Sequence, residues 1–222
     1  MCGRYSFAIE DDLILQRFGI RVRTAIYKAN YNCSPTQTLA VITNEAPDTL
    51  NFFRWGLVPS WAKDRTIGNK LINARAETLT EKPSFRSAFR DKRCLIPATG
   101  FYEWKHVQKE GMKTKAAIPF QIGLKNGDAF CFAGLWDQWV SGDGEILRSF
   151  TIITTSPNEL VREIHDRMPV ILRRDDEQRW ISPGPDPSLV ELLKPFPEDL
   201  MESQQVAKLK ISESPSLFTG PP

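Results

Sequence analysis

The chain has 222 residues, 41% hydrophobic and 25% charged, and 29 basic against 27 acidic residues leave a net charge of +2. This is the profile of an ordinary soluble globular protein; it excludes a disordered, a collagen-like or a small disulfide-stapled chain. So balanced a charge means that any nucleic acid must be met by a local basic patch.

Taken in order, EDDLILQRF (10–18) predicts a short amphipathic helix stopped by Gly19. TLAVIT (38–43) and TLNFFRWGL (49–57) predict strands around a turn at Pro47-Asp48. Residues 58–70 form a long loop rich in turn formers, and LINARAETL (71–79) follows. PSFRSAFR (83–90) predicts a helix, with Pro83 near its start and Phe85 and Phe89 on one face. RCLIPATGFYEWK (93–105) predicts a strand, a bend between Pro97 and Gly100, and a second strand. HVQKEGMKTKAA (106–117) is expected to be a solvated hairpin loop, after which IPFQIGL, DAFCFAGLWDQWV and RSFTIITT supply three strands. SPNELVREIH (156–165) predicts a helix with Ser156 and Glu159 as a capping box and Pro157 at its first position. MPVIL is a short strand, DDEQRWI and SLVELL are short helices, VAKLKIS is a last strand, and SESPSLFTGPP is a surface or frayed tail.

Strands predominate and do not alternate with helices as βαβ units. The expected class is α+β, with a mainly antiparallel, barrel-like or two-sheet β core and short peripheral helices. No repeat or linker interrupts residues 1–222, so a single domain is expected. No apolar run reaches the 18 or so residues that span a bilayer. The start, MCGRYSFAIEDD, carries charges where a signal peptide needs an apolar stretch. A cytoplasmic protein without a membrane partner follows as an expectation.

Cysteines stand at positions 2, 33, 94 and 131, with no CxxC pair and only two histidines, His106 and His165. Metal ligands normally come in close pairs, so no metal and no cofactor is expected. Cys33, Cys94 and Cys131 sit in apolar contexts and read as small buried hydrophobes. Cys2 differs by position. Removal of Met1 would leave an α-amine and a thiol on one residue, with reference pKa values of about 7.7–8.0 and about 8.5. Such an aminothiol can condense with an aldehyde and close a five-membered ring through sulfur, or act as an N-terminal nucleophile. The alternative is an early residue that is merely buried.

Three further motifs carry candidates. Glu103 in GFYEWK stands between aromatics, where a carboxylate with a raised pKa suits acid–base work; the alternative is a surface glutamate paired with Lys105. His165 in EIHDRMP is the imidazole candidate, or else a histidine favoured at a helix C-terminus. In LINARAET, Asn73 could orient a small polar group and Arg75 could take a phosphate; the alternatives are an ordinary turn or edge residue and a surface arginine.

Five motifs in order, MCGRY, RWGLVPSW, LINARAET, RCLIPATGFYEWK and IHDRMPVIL, make the chain resemble the SOS-response-associated peptidase (SRAP) family over essentially its whole length. That family shields abasic sites in single-stranded DNA by covalent capture. The resemblance implies a thiazolidine link through Cys2, with Glu103, His165 and Asn73 as catalytic residues. It implies phosphate contacts from Arg4 and Arg75, and a DNA-binding surface lined by Trp55, Pro59 and Trp61. It also implies a monomer that meets abasic single-stranded DNA and the replication machinery. An N-terminal-nucleophile peptidase or amidase, and a non-covalent single-strand binder, are the competing readings.

Overall fold

The computed structural model describes residues 2–108, 115–207 and 209. The tip of the expected 106–117 loop and the C-terminal tail lie outside these. In chain order the elements are β1 (Tyr5–Phe7), α1 (Asp11–Phe18), β2 (Val22–Arg23), β3 (Asn30–Cys33), β4 (Thr38–Thr43), β5 (Ala46–Trp55), β6 (Asn73–Arg75), α2 (Arg86–Asp91), β7 (Arg93–Ala98), β8 (Gly100–Gln108), β9 (Lys115–Leu124), β10 (Phe130–Val140), β11 (Ile146–Thr155), α3 (Glu159–Arg162), β12 (Met168–Pro169), β13 (Ile171–Leu172), α4 (Arg174–Trp180) and β14 (Met201–Gln205). The fold is α+β, mostly sheet with short helices, as expected.

Two sheets carry the molecule. One runs β14-β9-β8-β1-β3. In the other, β11, β10, β7, β4 and β5 are neighbours in that order, and a parallel pairing of β11 with β5 returns the path to its start. The inward-facing aromatics hold the two together. Tyr5 meets Trp55 edge-on at 5.3 Å and Phe132 at 5.7 Å, and Trp55 stacks on Phe150 at 6.3 Å. Such pairs add to the apolar area they bury. Cys33, Cys94 and Cys131 are buried and free, the small core residues that their contexts predicted.

Two glycines have conformational work. Gly19 ends α1 at φ +64°, in the left-handed region. Gly56 lies at φ +123°, and a Cβ there would sit 2.6 Å from the Gly68 carbonyl oxygen, so the RWGL corner closes only with glycine.

Several predicted boundaries move. The β4–β5 turn is Asn44-Glu45, with Thr43 paired to Ala46. Pro47-Asp48 lies inside β5, near a register shift, where a missing N–H is tolerated. The cap of α3 is Asn158, whose side chain accepts from Val161 N at 2.9 Å while its Nδ2 donates to the Phe196 carbonyl; Ser156 does not cap it. MPVIL divides at Val170, passing from β11 to β10. The last described strand is MESQQ, an edge strand on β9 where polar residues face solvent; most of VAKLKIS lies outside the described residues.

Candidate active site

β1 and β8 run antiparallel, with Tyr5 opposite Phe101 and the Tyr102 N–H bonded to the Arg4 carbonyl at 2.9 Å. Extending that register sets Gly3 opposite Glu103 and Cys2 one residue further on, and the Glu103 charge reaches the Cys2 thiol. Both are buried, Cys2 fully and Glu103 to 2% exposure. Burial pushes the Cys2 thiol well above its ordinary range, and the Glu103 charge adds to the rise. Burial likewise lifts the Glu103 carboxyl from its usual 4.5 to about 7, with Asp166 as a smaller contributor. One of its oxygens, Oε1, has no hydrogen-bond partner among the described residues.

His165 follows α3, its N–H bonded to the Val161 carbonyl at 2.8 Å. Its Nε2 lies 3.9 Å from Oε2 of Glu103. Nδ1 accepts from the Arg167 N–H at 3.1 Å and lies 2.9 Å from Oδ1 of Asp166. Burial lowers the His165 pKa, so the imidazole is mostly neutral at neutral pH. Two titratable side chains with shifted pKa values thus stand 3.9 Å apart, and one of them, Glu103, acts on the Cys2 thiol.

Asn73 enters from β6, which pairs in parallel with β11 through Ile152. Trp55 fixes the approach to this strand, its Nε1 donating to the Ile72 carbonyl at 2.8 Å. Neither side-chain polar atom of Asn73 has a partner among the described residues, although both are buried. Buried amides are normally satisfied, so this one is an exception among the described residues.

The remaining candidates separate. Arg75 is exposed and Arg4 half-buried, with Nη1 of Arg4 3.4 Å from Oδ1 of Asn32. Trp61 is 57% exposed at the tip of the 57–64 loop. That loop is bolted to the barrel by three bonds: Val58 N to Ser149 Oγ, Ser60 N to Asp137 Oδ2, and Trp139 Nε1 to the Ala62 carbonyl. Trp55 corrects the expectation of a surface residue. It is fully buried, because alternation along β5 turns it inward. Pro59 is buried as well, so neither lines a surface. Glu77, Asp166 and Arg167 were not singled out from sequence, and all three meet at the His165 turn.

The sequence matches the family described as SOS response associated peptidase (SRAP) over residues 1–211. It is 48% identical over 214 residues to the abasic site processing protein YoqW of Bacillus subtilis (strain 168), covering 94% of this chain and 93% of that one. It is 32% identical over 199 residues to the abasic site processing protein HMCES of Xenopus tropicalis, covering 77% of this chain and 59% of that one. A crystal structure of a protein from Bacteroides thetaiotaomicron superposes with a TM-score of 0.83 at 31% identity, covering 92% of each chain.

Proposed function

This chain belongs to the SOS response associated peptidase family, and on that premise we propose that it recognises abasic sites in single-stranded DNA and captures them covalently through Cys2 once Met1 is removed. The observation that carries the reading is an N-terminal cysteine packed beside a buried carboxyl that holds its proton to about pH 7. An abasic sugar offers an aldehyde when its ring opens. The Cys2 α-amine is the group that this aldehyde meets first.

In the proposed sequence, His165 steadies the ring oxygen through its Nε2–H while a water carries the C1′ hydroxyl proton to that oxygen, and the sugar opens to the aldehyde. Asn73, with its open amide, holds the α-amine. The amine nitrogen bonds to C1′ and a carbinolamine forms. Glu103 protonates the departing hydroxyl, which leaves as water and gives the Schiff base. The Cys2 sulfur then bonds to C1′ and its proton passes to nitrogen. One water is lost overall and a thiazolidine results. The closed ring removes the aldehyde, which suppresses β-elimination and strand breakage. Arg4 and Arg75 grip flanking phosphates and Trp61 stacks on a base.

The peptidase reading is less well supported. A cysteine nucleophile works as a thiolate with a depressed pKa, whereas burial and Glu103 push this thiol the other way. The test is intact-protein mass after incubation with a single-stranded oligonucleotide bearing one abasic site, with Cys2→Ala alongside. The expected result is a heat-stable adduct on wild type, at a mass lacking Met1 and one water, and none on the variant. Absence of the adduct from protein that has lost Met1 would overturn the proposal.

A further inference from the structure

The turn that carries His165 is tied to the segment that carries Asn73 by one two-point ion pair. Arg167 donates from Nη1 and Nη2 to Oε1 and Oε2 of Glu77 at 2.7 and 2.9 Å, and Nη2 also donates to the Thr154 carbonyl at 2.8 Å. A fork-to-fork pair fixes the orientation of a guanidinium more firmly than a single contact does. Thr154 pairs with Arg75, two residues before Glu77. The clamp therefore locks residues 165–167 onto β11 and β6 together.

The same Arg167 reaches His165 through its backbone, N–H to Nδ1 at 3.1 Å. A neutral imidazole carries one proton, and the nitrogen that accepts a hydrogen bond is the bare one. The proton then sits on Nε2, which faces Glu103 at 3.9 Å. A rival lies close by. Oδ1 of Asp166 is 2.9 Å from the same Nδ1, on a side chain that is 89% exposed. A carboxylate there favours the other tautomer, with Nδ1–H donating outward. Which partner prevails depends on where the backbone of residues 166 and 167 is held. The other charges acting on the imidazole are the N-terminal amine, Glu103 and the nearby His106.

We propose that Glu77 is a positioning residue for the reaction: by clamping Arg167 it seats the Arg167 main-chain N–H on Nδ1 of His165 and keeps the deliverable proton on Nε2, towards Glu103. The kinetic part rests on the proposed capture of an abasic aldehyde. Without the clamp, Asp166 draws the proton to Nδ1. The bare Nε2 then cannot donate to the sugar ring oxygen.

The test has two arms. In the first, the protein is labelled with 15N-histidine, and its two histidines, His106 and His165, are told apart with a His106→Gln variant. Above the titration of His165, wild type should show a protonated Nε2 and a bare Nδ1. Glu77→Gln should shift His165 towards the opposite tautomer, and Glu77→Asp should restore part of the wild-type pattern. In the second arm, single-turnover adduct formation is followed against the concentration of an abasic single-stranded oligonucleotide. Glu77→Gln should lower the limiting rate roughly tenfold without raising the half-saturating concentration. An unchanged 15N pattern in Glu77→Gln overturns the proposal. So does a loss that appears only as weaker DNA binding. If wild type makes no adduct, the proposed function fails, and the 15N arm alone still decides whether Glu77 sets the tautomer.

Discussion

Replacing Glu103 by Gln removes a buried charge and keeps the shape. The carboxyl is 2% exposed and its Oε1 has no partner among the described residues, so the amide leaves packing and hydrogen bonding much as they were. The unfolded chain releases this proton near 4.5, and the folded one near 7. Between those values the folded state binds more protons. Stability therefore falls as pH rises through the window, and above it the whole penalty is in place. At about 1.36 kcal/mol per pH unit the gap amounts to about 3 kcal/mol. Glu103→Gln escapes that cost. It should match wild type near pH 4 and exceed it by about 3 kcal/mol at pH 8, which is roughly 6–12 °C in Tm for a chain of this size. Adduct formation should meanwhile slow by about 100-fold, the lower end of what a positioned acid contributes. Thermal melts of both proteins at pH 4, 6 and 8, followed by circular dichroism, decide it. A Tm difference that is the same at pH 4 and pH 8 would refute the raised acid, and a variant that crosslinks at the wild-type rate would remove Glu103 from the chemistry.

Trp55→Ala should cost about 3–5 kcal/mol of stability, whereas Trp61→Ala should leave Tm almost unchanged and weaken single-strand binding by about 1–3 kcal/mol; melts and fluorescence anisotropy read both, and the reverse pattern refutes the placement. Arg93 is fully buried and donates to five carbonyls, those of Phe89, Arg90, Trp180, Ser182 and Gly184. Arg93→Lys, with three donors for five acceptors, should lower stability by roughly 2–4 kcal/mol in denaturant titrations. Asn73→Ala should slow adduct formation without lowering Tm, since the amide has no partner to lose among the described residues; a large drop in Tm would show that it is structural. Cys2 should react with iodoacetamide more slowly than a free cysteine at pH 7.5, as read by mass, because burial keeps its thiol protonated.

The candidate site was legible where a residue type was out of place in its surroundings. A thiol at position 2, an acid between aromatics and one of two histidines each stood out singly, and the structure brings Cys2, Glu103 and His165 to one place. The surface role that the resemblance implies for Trp55 fails because a strand turns neighbours to opposite faces: Arg54 goes out and Trp55 in. The cap of α3 misled for another reason. Ser156 satisfies the local pattern, but Asn158 caps the helix and also donates to Phe196, thirty-eight residues away, which no local pattern encodes. The Glu77–Arg167 pair was invisible for the same reason, its partners being ninety residues apart.

The same burial that makes the site costly also orders its chemistry. A thiolate beside a carboxylate in a dry pocket would carry two like charges with little solvent to screen them. Holding the thiol protonated avoids that, and in the proposed capture it leaves the α-amine as the first nucleophile. In the proposed capture the thiol enters only after a Schiff base has formed, when an electrophilic carbon lies beside it and no prior ionisation is needed for the ring to close. Glu103 fits this order from the other side, since a carboxyl near 7 can give a proton to the departing water and take one back. A peptidase would need the reverse arrangement, an ionised sulfur waiting for substrate. The buried acid and the neutral thiol are therefore two consequences of one design choice, which favours capture of a carbonyl over cleavage of an amide.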